Sequence, residues 1–271
     1  MFIHFCQGTP LKNQFNEESE QCLAKSNLSD TALIAGEDTN HLPDIVRKYL
    51  YRTEFVDKPR IHNMKVTFEG KIRKHPNDPW MKLTACQITS FDSPTRIFYL
   101  QAKRAFMVAR GLHCFKNGEA SMNVKLMGIL DMVNANGPLM NQSETVTHFN
   151  DMCLMAPGTL VDKNIVWEEI DPLTVKAFYT CNGITISATL YFNVDGYLEN
   201  FISNDRYDLS DSENPVLREF STPITYYMEN NGNTLPQTAQ AVYQMDNGQF
   251  VYGEFTIKSI EYNTNNTEFR K

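Results

Sequence analysis

GITISATLYFNVDGYLENFISNDRY, residues Gly183 to Tyr207, decides the fold class. Ile184, Ile186, Ala188, Leu190, Phe192 and Val194 occupy every second position. That is the period of a strand with one face in a core. Asp195-Gly196 interrupts the run, and Leu198 begins a second apolar stretch. Asp-Gly between two such runs predicts a hairpin, because both residues tolerate positive φ.

The same grammar recurs outward from this stretch. Asn182-Gly183 joins it to the Val175–Cys181 run, and Asn117-Gly118 separates Phe106–Phe115 from Ala120–Leu126. Asn231-Gly232 follows Thr225–Met228, and Asn247-Gly248 joins Ala239–Met245 to Phe250–Tyr262. Further strand-like runs cover Met64–Ile72, Trp80–Ile88, Ile97–Ala102 and Ile165–Trp167. Connections this short exclude parallel βαβ units. The expected fold is mainly β (α+β): a long antiparallel meander forming a strongly curved sheet or half-open barrel with a few covering helices.

Two helices are expected to cover it. Pro43 opens one over Pro43–Arg52, with Ile45, Val46, Tyr49 and Leu50 as its apolar stripe. Asn141 and Glu144 have capping-box spacing, which predicts a second helix over Gln142–Cys153. Residues 1–40 read as a polar extension and linker with a short helix from Phe15 to Ala24 or Lys25, and residues 41–271 as one curved β domain. Pro215 and Pro223 punctuate an expected loop, and the tail NTNNTEFRK reads as frayed.

The totals exclude several function classes. The chain has 271 residues, 42% hydrophobic, and a net charge of −7. Without a dense Lys/Arg cluster, no nucleic-acid partner is expected. The same acidity argues against electrostatic docking on anionic lipid. No stretch approaches the ~18 apolar residues of a membrane span. The chain reads as soluble and cytoplasmic by default, with envelope association open if the true start lies upstream. Its six cysteines form no CxxC pair. They read as buried thiols, with an inter-strand disulfide left open.

Chemistry is sparse. Glu144, His148 and Asp151 stand at i, i+4 and i+7, so they share one helix face. The arrangement suits a general base held by two acids, or a carboxylate–histidine metal site with further ligands unidentified; the plainer reading is a solvated helix face with modest side-chain pairing. Arg206 has a planar fork for a carboxylate or phosphate, or a structural ion pair with Asp205 or Asp171. Trp167 and Asp171 share a strand face. GxSxG, HExxH, GxGxxG and P-loop patterns are absent. No cofactor or metal is expected. Seventeen Phe and twelve Tyr either fill a core or line an apolar cavity within the sheet.

The ordered set Leu42-Pro43, Glu144 to Asp151 with Pro157-Gly158-Thr159-Leu160, Trp167-x-x-Ile170-Asp171, Gly196, Asp205-Arg206-Tyr207, Gly232-x-x-x-Pro236 and Gly248-x-Phe250-x-Tyr252 resembles an uncharacterised bacterial domain family over residues 42–262. The resemblance implies a half-barrel like the LolA-type lipoprotein carriers, which hold acyl chains against a concave sheet. It carries no assigned activity. The leading expectation is a non-catalytic binding domain for an apolar or lipid-like small molecule. Its candidate ligand residues are Glu144, His148, Asp151, Trp167, Asp171, Arg206, Tyr207 and Tyr252. An enzyme using Glu144, His148 and Asp151, and an interaction scaffold, are the alternatives.

Overall fold

The computed structural model describes residues 9–211 and 213–269. Cys6 lies outside them. The elements in chain order are α1 (Pro10–Leu23), α2 (Asp44–Arg52), β1 (Asn63–Ile72), β2 (Met81–Ser90), β3 (Thr95–Arg104), β4 (Met107–Lys116), β5 (Glu119–Leu126) and β6 (Leu130–Asn136). After the interior helix α3 (Pro138–Met155) come β7 (Ile165–Asp171), β8 (Thr174–Cys181), β9 (Ile184–Phe192), β10 (Leu198–Asp208), β11 (Val216–Ser221), β12 (Ile224–Asn230), β13 (Asn233–Met245) and β14 (Gly248–Tyr262).

All the strands belong to one antiparallel sheet, ordered β6-β5-β4-β3-β2-β1-β14-β13-β11-β10-β9-β8-β7, with β12 branching from β13. Two meanders, β1–β6 and β7–β11, are joined where β14 returns beside β1. The sheet curves without closing, leaving β6 and β7 as its ends. α3 touches β5 and β6 from one meander and β9 and β10 from the other, so the sheet bends around it. Burial explains this placement: Met140, Val146, Phe149, Met152 and Cys153 are buried, and so are Ser143, Glu144, His148 and Asp151. The helix lies inside the curve of the sheet and covers its concave face from within.

The alternation in β9 is as expected, with Ile186, Ala188, Leu190 and Phe192 buried. Val194 lies beyond the strand and is exposed. The Asn-Gly pairs 117–118, 182–183 and 231–232 take positive φ at both residues, the signature of a tight primed turn. Asp195-Gly196 does not: only Gly196 is left-handed, at φ 93°. The Asn193 side chain closes that longer loop by accepting the Asp195 and Tyr197 N–H groups. β6 and β11 were not expected. Leu130–Asn136 carries too many polar residues for an alternating pattern, and β11 lies between the prolines that read as a loop.

Three further corrections concern ends and caps. α3 begins at Pro138 with Gly137 at the cap position; Asn141 lies within the helix and accepts the Ala120 N–H, so no capping box forms. α1 starts at Pro10 and docks on the outer face of the sheet, where Phe15, Cys22 and Leu23 meet Cys86, Ile88, Ile97, Tyr99, Leu112 and Cys114. This second core explains why β2 and β3 are buried on both faces. The described part of the tail, through Phe269, is held rather than frayed: Lys65 Nζ donates to the Asn266 and Glu268 carbonyls, and Phe269 packs 5.7 Å from Phe15; Arg270 and Lys271 lie outside the described residues. Ile34, in the stretch read as linker, is buried and exchanges backbone hydrogen bonds with Asp57 and Lys58. The described cysteines, Cys22, Cys86, Cys114, Cys153 and Cys181, are free thiols.

Candidate functional site

α3 fills only part of the concave face. Between β1–β6 on one side and β10, β13 and β14 on the other, the sheet bounds a cavity of about 330 Å³. Phe98, Leu100, Val124, Met132, Phe255 and Ile257 contribute to its apolar wall. Its floor is polar and is built where β2, β3 and α3 meet. Arg96 precedes Phe98, Leu100 and Ala102 on the inward parity of β3. Its Nε donates to Asp151 Oδ2 at 2.7 Å, its Nη1 to Glu144 Oε2 at 3.2 Å, and its Nη2 to Gln87 Oε1 at 3.2 Å. Gln87 Nε2 also donates to Asp151, at 2.6 Å. Charges buried at this depth persist only when paired and hydrogen-bonded in this way.

The two acids respond differently. Burial pushes both upward. At Glu144, Arg96, His113 and Arg206 outweigh it and hold the carboxyl at about 2. At Asp151 burial prevails over Arg96 and Gln87, and the pKa is raised. His148 joins neither acid. Its ring is stacked on Tyr179 and lies near Phe91 and Phe115, with Nδ1 3.3 Å from the Tyr179 hydroxyl. Burial lowers its pKa to about 4, so it is neutral at pH 7. The shared helix face therefore divides: Glu144 and Asp151 line the cavity, whereas His148 sits among aromatic rings outside it.

Arg206 occupies the opposite wall. Register shifts between Ser203 and Arg206 where β10 pairs with β11, so this strand carries a bulge. Bulges re-aim side chains, and here the guanidinium faces the cavity. Arg206 pairs with neither expected acid. Asp205 instead accepts the Ser187 N–H and hydroxyl beside it, and Asp171 caps Leu173. Arg206 donates to the Tyr243 hydroxyl and to Thr147 Oγ1, and lies 4.4 Å from the Phe220 ring centroid. Among the described residues no carboxylate oxygen is within 4.0 Å of it, since it forms none of their ion pairs. Burial acts against its charge, while Tyr243, Tyr252, Glu144 and Asp208 favour it and leave its pKa raised.

Gln142, Ser143 and Thr147 of α3 all bond to β10 around this bulge. Tyr207 and Tyr252 also line the cavity. Trp167 and Asp171 do not; they lie on the end strand β7, with Asp171 exposed. Sequence reasoning missed Arg96, Gln87, His113 and Tyr243. The available signal was an arginine on the same parity as three apolar neighbours of β3. No group of three or more metal-ligating side chains occurs among the described residues. Among them also, no helix is long and apolar enough to cross a membrane.

Fold and site together define a mainly β protein whose open, curved sheet wraps one buried helix and an apolar cavity with a charged floor. The chain belongs to a family of unknown function, DUF6544, whose sequence profile matches residues 32–255. A crystal structure of a DUF1329 family protein from Desulfovibrio piger is similar with a TM-score of 0.45 and 9% identity, covering 82% of this chain and 94% of that one. A search of curated proteins found no match.

Proposed function

We propose that this protein is a non-catalytic binding domain that holds a lipid-like ligand, apolar along most of its length and acidic at one end, in the cavity of the curved sheet. The observation that carries this reading is the guanidinium of Arg206, which faces an apolar cavity with no ion-pair partner among the described residues. A cavity of about 330 Å³ lies at the lower edge of the roughly 300–1,000 Å³ of small-molecule sites. Arg73, Lys74, Arg96 and Arg206 line it against Glu144, Asp151 and Asp208, so the lining carries one more cation than carboxylates in a chain of net charge −7. A carboxylate placed between Arg206, Tyr243 and Tyr252 would accept charge-assisted hydrogen bonds. The acyl chain would then run along Phe98, Leu100 and Val124.

Organic extraction of the purified protein followed by mass spectrometry, with displacement of a fluorescent fatty acid in solution, tests this reading. Recovery of a bound amphiphile, or saturable displacement by fatty acids, supports it. Empty extracts together with no saturable binding would overturn it.

A further inference from the structure

Two adjacent hairpin tips at one end of the sheet break the pattern of the others. The β3–β4 turn is Ala105-Phe106, and the β5–β6 turn is Met127-Gly128-Ile129. Phe106 is 94% exposed and Ile129 78% exposed, and Met107, Met127 and Leu130 are exposed beside them. Met127 N–H donates to the Val108 carbonyl, so the tips abut. Elsewhere in the sheet the non-glycine left-handed turn positions are Asn117, Asn182 and Asn231, which suit positive φ. Here they are Ala105 (φ 49°) and Met127 (φ 54°), residues with no side-chain hydrogen bond to offset that conformation. Met127 thus places a large apolar side chain at one tip despite the local backbone preference. Exposed contiguous apolar surface of this kind marks an interaction site.

The surroundings are basic although the chain is acidic. Lys71, Lys82 and Lys103 stand directly opposite one another across β1, β2 and β3. Like charges so placed repel. Leu83 and Ala102, their strand neighbours, are buried, which puts the lysine row on the outer face. Arg73, Lys74 and Arg104 lie at the same strand ends, and Asp78 is the one acid between residues 71 and 91. Lys71 is paired with Glu254; Lys82 and Lys103 form no ion pair among the described residues. The cavity extends toward this end: Ala102, Ala109 and Val124, each two residues from a strand end at these tips, line it.

We propose that the Phe106 and Ile129 tips insert into the interface of an anionic lipid bilayer, with the lysine row and Arg104 against the headgroups, and that this end is where the cavity meets the membrane. Apolar tips with a cationic collar match the two attractions that bind peripheral proteins to such surfaces. Net charge does not oppose this, because screening confines the interaction to the nearest charges, within about 8–10 Å at physiological salt.

The test is co-sedimentation of the full chain with vesicles of phosphatidylcholine alone and of phosphatidylcholine containing phosphatidylglycerol. Binding to the anionic vesicles is expected, with at least tenfold weakening in Phe106→Ser/Ile129→Ser and in Lys82→Glu/Lys103→Glu, and with loss at high salt. Circular dichroism melts of both variants confirm that they fold; Phe106→Trp gives a second readout, a blue-shifted emission on vesicle addition. Absence of binding, equal binding to neutral vesicles, or retention in both variants would overturn the proposal. So would light scattering that shows the tips buried in a tip-dependent dimer. Fatty-acid displacement is measured without vesicles, so a failed cavity and a failed membrane contact are told apart.

Discussion

Arg96 Nε lies 2.7 Å from Asp151 Oδ2, an ion pair that ties the interior helix to the third strand of the sheet and forms the floor of the cavity. Glu144 completes the arrangement from about two turns earlier on the same helix. The three charges are almost inaccessible, so their mutual pairing is what allows them to be there.

Removing one partner should therefore be costly. Arg96→Met leaves two buried carboxylates without their cation, and urea unfolding should show a loss of about 3–5 kcal/mol. Arg96→Met/Glu144→Leu/Asp151→Leu should recover much of that loss, because no buried charge then lacks a partner. An R96M variant as stable as wild type would show that the network adds nothing to the fold.

His148 should make stability depend on pH. Its folded pKa of about 4 lies below the ordinary 6.5, so the unfolded chain binds the proton more readily. Its contribution is complete above pH 6.5 and is lost as pH falls from 6.5 toward 4, by about 3 kcal/mol. Glu144, held at about 2, acts below that window. Asp151, raised from 3.8, binds its proton more readily in the folded protein and acts upward from 3.8, in the sense opposite to His148, so the comparison with His148→Phe is what isolates the histidine. Thermal melts of His148→Phe between pH 4 and pH 7 should show a flatter profile than wild type; an unchanged slope would assign the titration elsewhere.

Arg206→Met should weaken an acidic amphiphile about tenfold or more, the effect of losing one charge-assisted contact, and leave a long-chain alcohol nearly unaffected. Arg206→Lys should retain part of the affinity. Equal effects on acid and alcohol, read by displacement titration, would mean that the variant damages the cavity rather than the headgroup contact. Ala109→Phe places a ring in the cavity wall and should block both ligands.

Gly70 faces Phe255 across the β1–β14 join. A Cβ there would sit 1.9 Å from the Glu254 carbonyl oxygen. Because that neighbour is main chain within the ladder, it cannot step aside. Gly70→Ala should lower stability by about 3 kcal/mol, and a melting temperature within a degree or two of wild type would show that the two meanders join more loosely than this contact implies.

The periodic segments were legible without coordinates. Ile186, Ala188, Leu190 and Phe192 turned inward as their alternation requires, and three of the four Asn-Gly pairs supplied tight turns because few other residues accept positive φ at little cost; at Asn247-Gly248 the turn is instead Asp246-Asn247. The site was half legible. Glu144, Asp151, Arg206, Tyr207 and Tyr252 do face one cavity, but their partners come from strands distant along the chain. Arg96 and Gln87 reach α3 only because the sheet curves, and Tyr243 reaches Arg206 only through the order β14-β13-β11-β10.

What the sequence determined by itself was local: which residues alternate, where the chain turns, and hence a long antiparallel, mainly β architecture. Tertiary structure decided the rest, because it depends on which distant surfaces meet. It put a helix bearing Glu144 and Asp151 inside the sheet and shifted Arg206 toward the cavity through a bulge. It also gathered lysines from three strands into a basic end on an acidic chain. The overall charge of −7 argued against a lipid surface, but charge acts over only about 8–10 Å in salt water, and its placement is set by strand register.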